Sequence, residues 1–262
     1  MILDQFQLTG QVALVTGSGQ SIGEDIALAL AEAGADVVVV ARTQAAIDDT
    51  AAKVRERGRD ALAVRCDVME TDQLEALVAA TLERFGRLDV LVNNAGGSFP
   101  RPALEMSERA FEKVVRFNLT SPFLLTRLAV PAMVQTTGRG VVVNISSGAS
   151  QQTVGGMVAY GAAKAGLNQM TRILAREFAP KVRVNAIVVG QILTDGARSV
   201  LSEAMLDQAA RAIPMGRLGD VRDIAACALF LASPASAWIT GRVFDVDGGA
   251  DAAPIEFPIP PL

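Results

Sequence analysis

Seven short, β-branched-rich apolar runs divide this chain, at residues 12–16, 36–41, 61–65, 90–92, 141–145, 182–187 and 243–246. Most show no polar alternation, which is how a strand reads when both of its faces are covered. Between them lie longer Ala- and Leu-rich segments with helical spacing, near 22–33, 45–57, 72–85, 108–134, 158–178, 196–211 and 221–232. Parallel neighbours need such crossover connections. The pattern predicts an α/β fold, a doubly wound parallel sheet of about seven strands with helices on both faces. No linker, repeat or low-complexity tract interrupts it, so residues 1–262 are expected to form a single domain. The one departure is the proline-rich end, 254–262, whose four prolines suit neither helix nor strand interior. It is read as an extended arm on a surface or as a disordered end.

Composition narrows the chemistry. Half of the 262 residues are hydrophobic, so a large core is expected, and the net charge of −4 gives no reason to expect nucleic acid or an anionic membrane surface. No apolar run is long enough to span a membrane, and the N-terminal MILDQFQLTG lacks the features of a secretory signal. Cys66 and Cys227 stand far apart, consistent with two ordinary thiols in a cytoplasmic chain. There is no histidine at all, which argues against a zinc enzyme and against a His-based triad, and no metal site is expected.

The carboxyl ends of the predicted strands gather the chemically suggestive segments. After the first comes Thr16-Gly17-Ser18-Gly19-Gln20-Ser21-Ile22-Gly23, opening a helix. Glycines at such a turn let backbone approach a pyrophosphate, which then sits on the helix N-terminus. An NTPase phosphate loop is disfavoured because no Gly-Lys-Ser/Thr follows. The second strand ends in Val40-Ala41-Arg42-Thr43, without an acid at its tip. A carboxylate there would bind a ribose 2′-hydroxyl, whereas Arg42 suits a 2′-phosphate, so NADP(H) is favoured over NAD(H). Asp67-Val68 follows the third strand, Asn93-Asn94-Ala95-Gly96 the fourth, and Gly190 to Thr194, with Ile192, the sixth. Each alone reads as a structural turn. Together they mark the sheet edge where ligands bind in open α/β sheets.

After the fifth strand comes Ser146-Ser147, a Gly-rich loop, and a helix carrying Tyr160 and Lys164. Residues at i and i+4 share a helix face, so phenol and ammonium face one site. Tyr160 is the only tyrosine in the chain.

Thr-Gly-x4-Ile-Gly, Asn-Asn-Ala-Gly, Ser-x12-Tyr-x3-Lys, Pro214-Met215-Gly216-Arg217 and Asp247-Gly248-Gly249 together resemble the short-chain dehydrogenase/reductase family. The likeness runs from about Leu8 to Gly249, with overall similarity to bacterial 3-oxoacyl-thioester reductases and hydroxysteroid dehydrogenases. It implies a Rossmann-type fold, a nicotinamide cofactor, a homodimer or homotetramer, and a catalytic set of Asn118, Ser147, Tyr160 and Lys164. The family's spacing selects Ser147 over Ser146. Two positions depart from the family pattern: Ser21 replaces the middle glycine of the turn, and Val189 replaces a proline.

The resemblance implies a proton transfer from Tyr160 to a carbonyl oxygen, with Ser147 stabilising the developing alkoxide. Lys164 lowers the phenol pKa and holds the nicotinamide ribose, and Asn118 anchors a water relaying protons to Lys164. A neighbouring ammonium and the positive nicotinamide ring favour the phenolate. Residues 98–104, 148–158 and 191–215 are expected to wall the substrate site with Phe99, Met157, Ile192, Leu193, Val200, Leu201 and Met205. Those side chains suit an apolar ketone or secondary alcohol, an acyl thioester or a ring ketone. A dinucleotide-sensing protein without catalysis is the rival that an intact Ser-Tyr-Lys set opposes.

Overall fold

The computed structural model describes residues 1–194 and 202–254. Its strands are β1 (Val12–Thr16), β2 (Asp36–Ala41), β3 (Ala61–Arg65), β4 (Val90–Asn93), β5 (Gly140–Ser147), β6 (Val182–Val189) and β7 (Val243–Val246). They form one sheet in the order β3-β2-β1-β4-β5-β6-β7, and every pairing is parallel. The chain starts at the centre, runs outward to β3, then crosses back to β4 and runs the other way. A crevice therefore opens where β1 and β4 diverge, at their carboxyl ends.

The helices are α1 (Ser21–Glu32), α2 (Gln44–Glu56), α3 (Thr71–Phe85), α4 (Glu108–Val115), α5 (Ser121–Thr137), α6 (Val158–Phe178), α7 (Glu203–Ala212) and α8 (Val221–Ala232). Strand pleating sends successive side chains to opposite faces. Ala13, Val15, Val37, Val39, Val90, Val92, Val143 and Ile145 join a core with Ile26 and Leu30 of α1, Ile47 of α2 and Ile224 of α8. Val12, Leu14, Val38, Val40, Leu91 and Val142 join the opposite core with Leu74 and Leu77 of α3, Leu125 and Met133 of α5, and Leu174 of α6. Coverage on both faces is why these strands carry no polar alternation. Leu14 is fully buried, and truncating such a side chain to alanine costs about 2–5 kcal/mol.

Several elements differ from the sequence expectation. Strands β5 and β6 run two residues further, to Ser147 and Val189, carrying Ser146-Ser147 to the crevice lip. The single helix expected over 108–134 is two, separated by a π-helical turn at Arg116–Thr120. Pro122 is the physical reason. In a regular helix residue 122 would donate its N–H to the Asn118 carbonyl, and proline has none to give. The Ser121 amide instead bonds the Arg116 carbonyl, and the Ser121 hydroxyl donates to the same oxygen at 2.8 Å. Of the helix expected over 196–211, α7 covers the part from Glu203; residues 195–201, and those of the tail from 255 on, lie outside the described residues. Among the described residues no helix is long and apolar enough to cross a membrane.

Candidate active site

A cleft of about 740 Å³ follows the carboxyl edge of the sheet. Its lining includes Gly17, Ser21, Ile22 and Gly23 from the first turn, Arg42 at the tip of β2, and Asp67 and Val68 beyond β3. It continues along Asn94, Ala95 and Gly96 beyond β4 to Ser147, Tyr160, Lys164, Gly190, Ile192 and Thr194. Two residues singled out in the sequence, Ser18 and Asn118, lie behind this lining and are fully buried.

Hydrogen bonds to the main chain fix the first turn. The Ser18 hydroxyl donates to the Val15 carbonyl at 2.7 Å and accepts from the Val40 amide at 2.9 Å, tying the turn to β2. The Thr16 hydroxyl accepts from the Asn94 and Ala95 amides, both at 3.0 Å. In return the Asn94 side-chain amide donates to the Thr16 and Gly17 carbonyls at 2.9 and 3.2 Å. A Cβ on Gly23 would lie 2.2 Å from the Gly17 oxygen and 2.4 Å from the Asn94 amide nitrogen, so this close approach of turn and helix admits only glycine. The space left above the turn and the free first-turn amides of α1 fit the pyrophosphate of a dinucleotide. Thr16 was not among the candidate residues; the signal was present in its place directly before Gly17.

Asn118 sits on the π-helical turn. Its side-chain oxygen accepts from the Gly97 amide at 2.9 Å, and its nitrogen donates to the Gly97 and Val114 carbonyls at 3.0 and 2.9 Å. The Asn118 side chain is thus committed to holding the loop after β4. A Cβ on Gly96 would lie 2.8 Å from the Asn118 oxygen and 3.0 Å from the Lys164 nitrogen, so a bare glycine separates the two. Lys164 donates from Nζ to the Ile145 carbonyl at 2.8 Å. Burial without a carboxylate partner pulls its pKa down to about 8.

Ser146 and Ser147 point to different places. The Ser146 hydroxyl is buried and donates to the Lys164 carbonyl at 3.4 Å, between strand and helix. Ser147 caps the short turn Gly148–Ser150, where its hydroxyl accepts from the Ala149 amide at 3.3 Å. It also hydrogen-bonds the Tyr160 phenol. Burial raises the Tyr160 pKa above the ordinary phenol value, and the Ser147 bond opposes that rise without cancelling it. The lowering expected from the Lys164 ammonium and the cationic nicotinamide ring together concerns the cofactor-bound protein. The ammonium lies 5.7 Å from the centre of the phenol ring. Beneath the pair runs a buried polar chain that the sequence reading did not identify. Asn93 donates to Thr126 at 3.1 Å and to Asn144 at 2.9 Å, and Asn144 donates to Thr171 at 2.9 Å. It ties β4 and β5 to α5 and α6 and so fixes the platform under Tyr160 and Lys164.

A family model described as enoyl-(acyl carrier protein) reductase matches residues 17–251. The 7α-hydroxysteroid dehydrogenase of Escherichia coli K12 is 37% identical over 247 residues, covering 94% of this chain and 96% of that one. The chain belongs to the short-chain dehydrogenase/reductase family. The 3-oxoacyl-[acyl-carrier-protein] reductase of Synechocystis is 40% identical over 245 residues, 92% of this chain and 97% of the relative. A solved structure of 7α-hydroxysteroid dehydrogenase complexed with NADH and 7-oxo-glycochenodeoxycholic acid superposes with a TM-score of 0.91. It is 36% identical and covers 95% of this chain and 97% of that one. As a short-chain dehydrogenase/reductase, the protein is a nicotinamide-dependent oxidoreductase acting on CH–OH and C=O groups.

The wall on the substrate side is less complete. Of the apolar residues expected there, Ile192 lines the cleft. Phe99 and Met205 are exposed, and Val200 and Leu201 lie outside the described residues. Among the described residues no three His, Cys, Asp or Glu side chains gather as a metal site would require.

Proposed function

We propose that this short-chain dehydrogenase/reductase is an NADP(H)-dependent carbonyl reductase and secondary-alcohol dehydrogenase whose substrate is an apolar ketone such as a 3-oxoacyl thioester. The observation that carries this reading is one cleft with Ser147, Tyr160 and Lys164 together at one end and Arg42 at the tip of β2. Among the described residues the Arg42 guanidinium has no hydrogen-bond or ion-pair partner in the protein, so it is available to a 2′-phosphate.

The bound nicotinamide supplies or accepts the hydride. Gly17, Ile22 and Gly23 hold the pyrophosphate side of the cofactor, and Asp67, Val68, Asn94 and Ala95 flank the rest of the cleft. Tyr160, kept protonated at neutral pH by burial, gives its proton to the substrate carbonyl oxygen. Ser147 donates a hydrogen bond to the same oxygen as negative charge builds on it. Lys164 remains largely protonated at neutral pH, and its charge favours the phenolate left behind. The Asn118 main-chain carbonyl, which Pro122 deprives of its helical donor, is the proposed anchor for the proton relay to Lys164.

A second reading, a ring ketone of hydroxysteroid type, is favoured by the likeness to the 7α-hydroxysteroid dehydrogenase complex. Oxidation of NADPH followed across straight-chain 3-oxoacyl thioesters and alicyclic ketones decides between them. The proposal expects turnover highest with a thioester; turnover confined to ring ketones selects the second reading. Arg42→Asp is expected to shift the NADPH-to-NADH ratio of kcat/KM by roughly 10–100-fold towards NADH, the worth of a charge-assisted bond. An unchanged ratio would place the 2′-phosphate elsewhere. The same reading includes assembly as a homodimer or homotetramer, supported by exposed Phe111, Phe123 and Ile173 on α4, α5 and α6, and sedimentation tests it.

A further inference from the structure

Among the described residues only one non-glycine has a positive φ, and it lies in the dinucleotide turn. Ser21, the first residue of α1, has φ 55°. Left-handed backbone crowds an L side chain against its own main chain, and serine gains none of the tolerance of glycine. The neighbouring glycine of the same turn, Gly17, also has positive φ, 65°, and needs no compensation. Ser21 lines the cleft, is half-buried, and its hydroxyl bonds no protein group. Residue Gln20 offers no side-chain cap to α1, whereas Ser107, Ser202 and Asp220 cap α4, α7 and α8. A strained residue with an idle donor is thus set at the lip of the anion cradle. Strain of this kind persists where function uses it.

We infer that Ser21 is a positioning residue whose hydroxyl donates to a pyrophosphate oxygen of the dinucleotide. The free protein carries the backbone strain, and the added charge-assisted bond compensates for it on binding. This inference rests on the nicotinamide reading above. It differs from the backbone-only contact that a glycine at this position would make. Ser21 therefore adds to affinity for any ligand bearing the pyrophosphate, whatever its nicotinamide state or 2′ substituent.

Two variants separate strain from hydroxyl. Ser21→Ala keeps the Cβ and the strain and loses the donor; Ser21→Gly loses both. Affinity is read by NADPH fluorescence and by calorimetry with ADP-ribose, which keeps the pyrophosphate and lacks nicotinamide. Stability is read as the melting temperature of the cofactor-free protein. Both variants are expected to bind NADPH and ADP-ribose about tenfold more weakly than wild type. The glycine variant alone is expected to melt higher than wild type, by about 2 °C, after the freedom glycine adds to the unfolded chain. Wild-type affinity in the alanine variant, or a glycine variant that melts no higher than the alanine one, overturns the inference. Wild type that binds ADP-ribose but neither NADPH nor NADH contradicts the nicotinamide reading instead, while the Ser21 comparison is still decided by ADP-ribose.

Discussion

On the dinucleotide side of the cleft, Thr16, Ser18 and Asn94 commit their side chains to backbone groups of β1, β2 and β4. On the side proposed to take the substrate, Phe99, Leu104 and Met215 stand 91%, 85% and 68% exposed. The first region is fixed by hydrogen bonds at 2.7–3.2 Å and by a glycine that nothing larger can replace. The second presents exposed apolar side chains. Tyr160 and Lys164 stand at the junction, on a helix whose base is held by the Asn93–Asn144–Thr171 chain. The contrast teaches a division of labour. Hydride chemistry needs geometry held to fractions of an ångström, so its side is stitched through the main chain. Substrate choice needs only a removable apolar surface, so it is left to side chains on loops.

The sharpest way to break this division is at the junction. Tyr160→Phe is expected to lower turnover by about 10³-fold, in the range for removal of a general acid, while NADPH binding stays within about twofold. A loss of binding comparable to the loss of turnover would mean that the phenol belongs to the dinucleotide side. Next in size is Gly23→Ala. Forcing a Cβ to within 2.2 Å of the Gly17 carbonyl is expected to cost about 2 kcal/mol of stability, seen as a melting drop of several degrees, together with weakened NADPH binding. Unaltered melting would show that the turn is looser than its bonding indicates.

Lys164 gives a pH-resolved effect. Its folded pKa of about 8 lies below the ordinary 10.5, so the unfolded chain binds more protons between those values. The cost of burying the ammonium is full below about pH 8 and is relieved as pH rises towards 10.5. Stability of wild type relative to Lys164→Met is therefore expected to rise across that window, by at most ~1.4 kcal/mol per pH unit. A flat or falling difference would mean the ammonium is partnered. Smallest is Phe99→Ser on the substrate side. Stability is expected to change by less than about 0.5 kcal/mol, as at other exposed sites, while KM for the ketone rises and NADPH affinity is unchanged.

Much of the fold was legible because covering both faces of a parallel sheet leaves a plain signature. Strands β1, β2, β3 and β7 have the bounds that their apolar runs suggest. The break at Asn118 was written in Pro122, which falls in the interior of the helix expected over 108–134, where a proline removes a ladder hydrogen bond. The candidate residues Ser147, Tyr160 and Lys164 meet at the cleft as their spacing implies. What did not show in the sequence is what three dimensions add. Ser18 and the Asn118 side chain hold main chain rather than the cleft, the Asn93–Asn144 chain lies deep in the platform, and burial raises the Tyr160 pKa in the cofactor-free protein. Phe99 was expected to wall the site, and its side chain stands exposed in the free protein.

Because Tyr160 is the only tyrosine, near-ultraviolet absorbance follows its ionisation without interference from another phenol. Titrating the cofactor-free protein, then the protein saturated with NADP⁺, measures directly whether this phenol is the acid beside the nicotinamide. The phenolate is expected above the ordinary value near 10 in the free protein, in line with its burial, and at lower pH once the cationic ring is bound. A phenol that titrates at the same pH with and without NADP⁺ would contradict the assignment of Tyr160 as the proton donor.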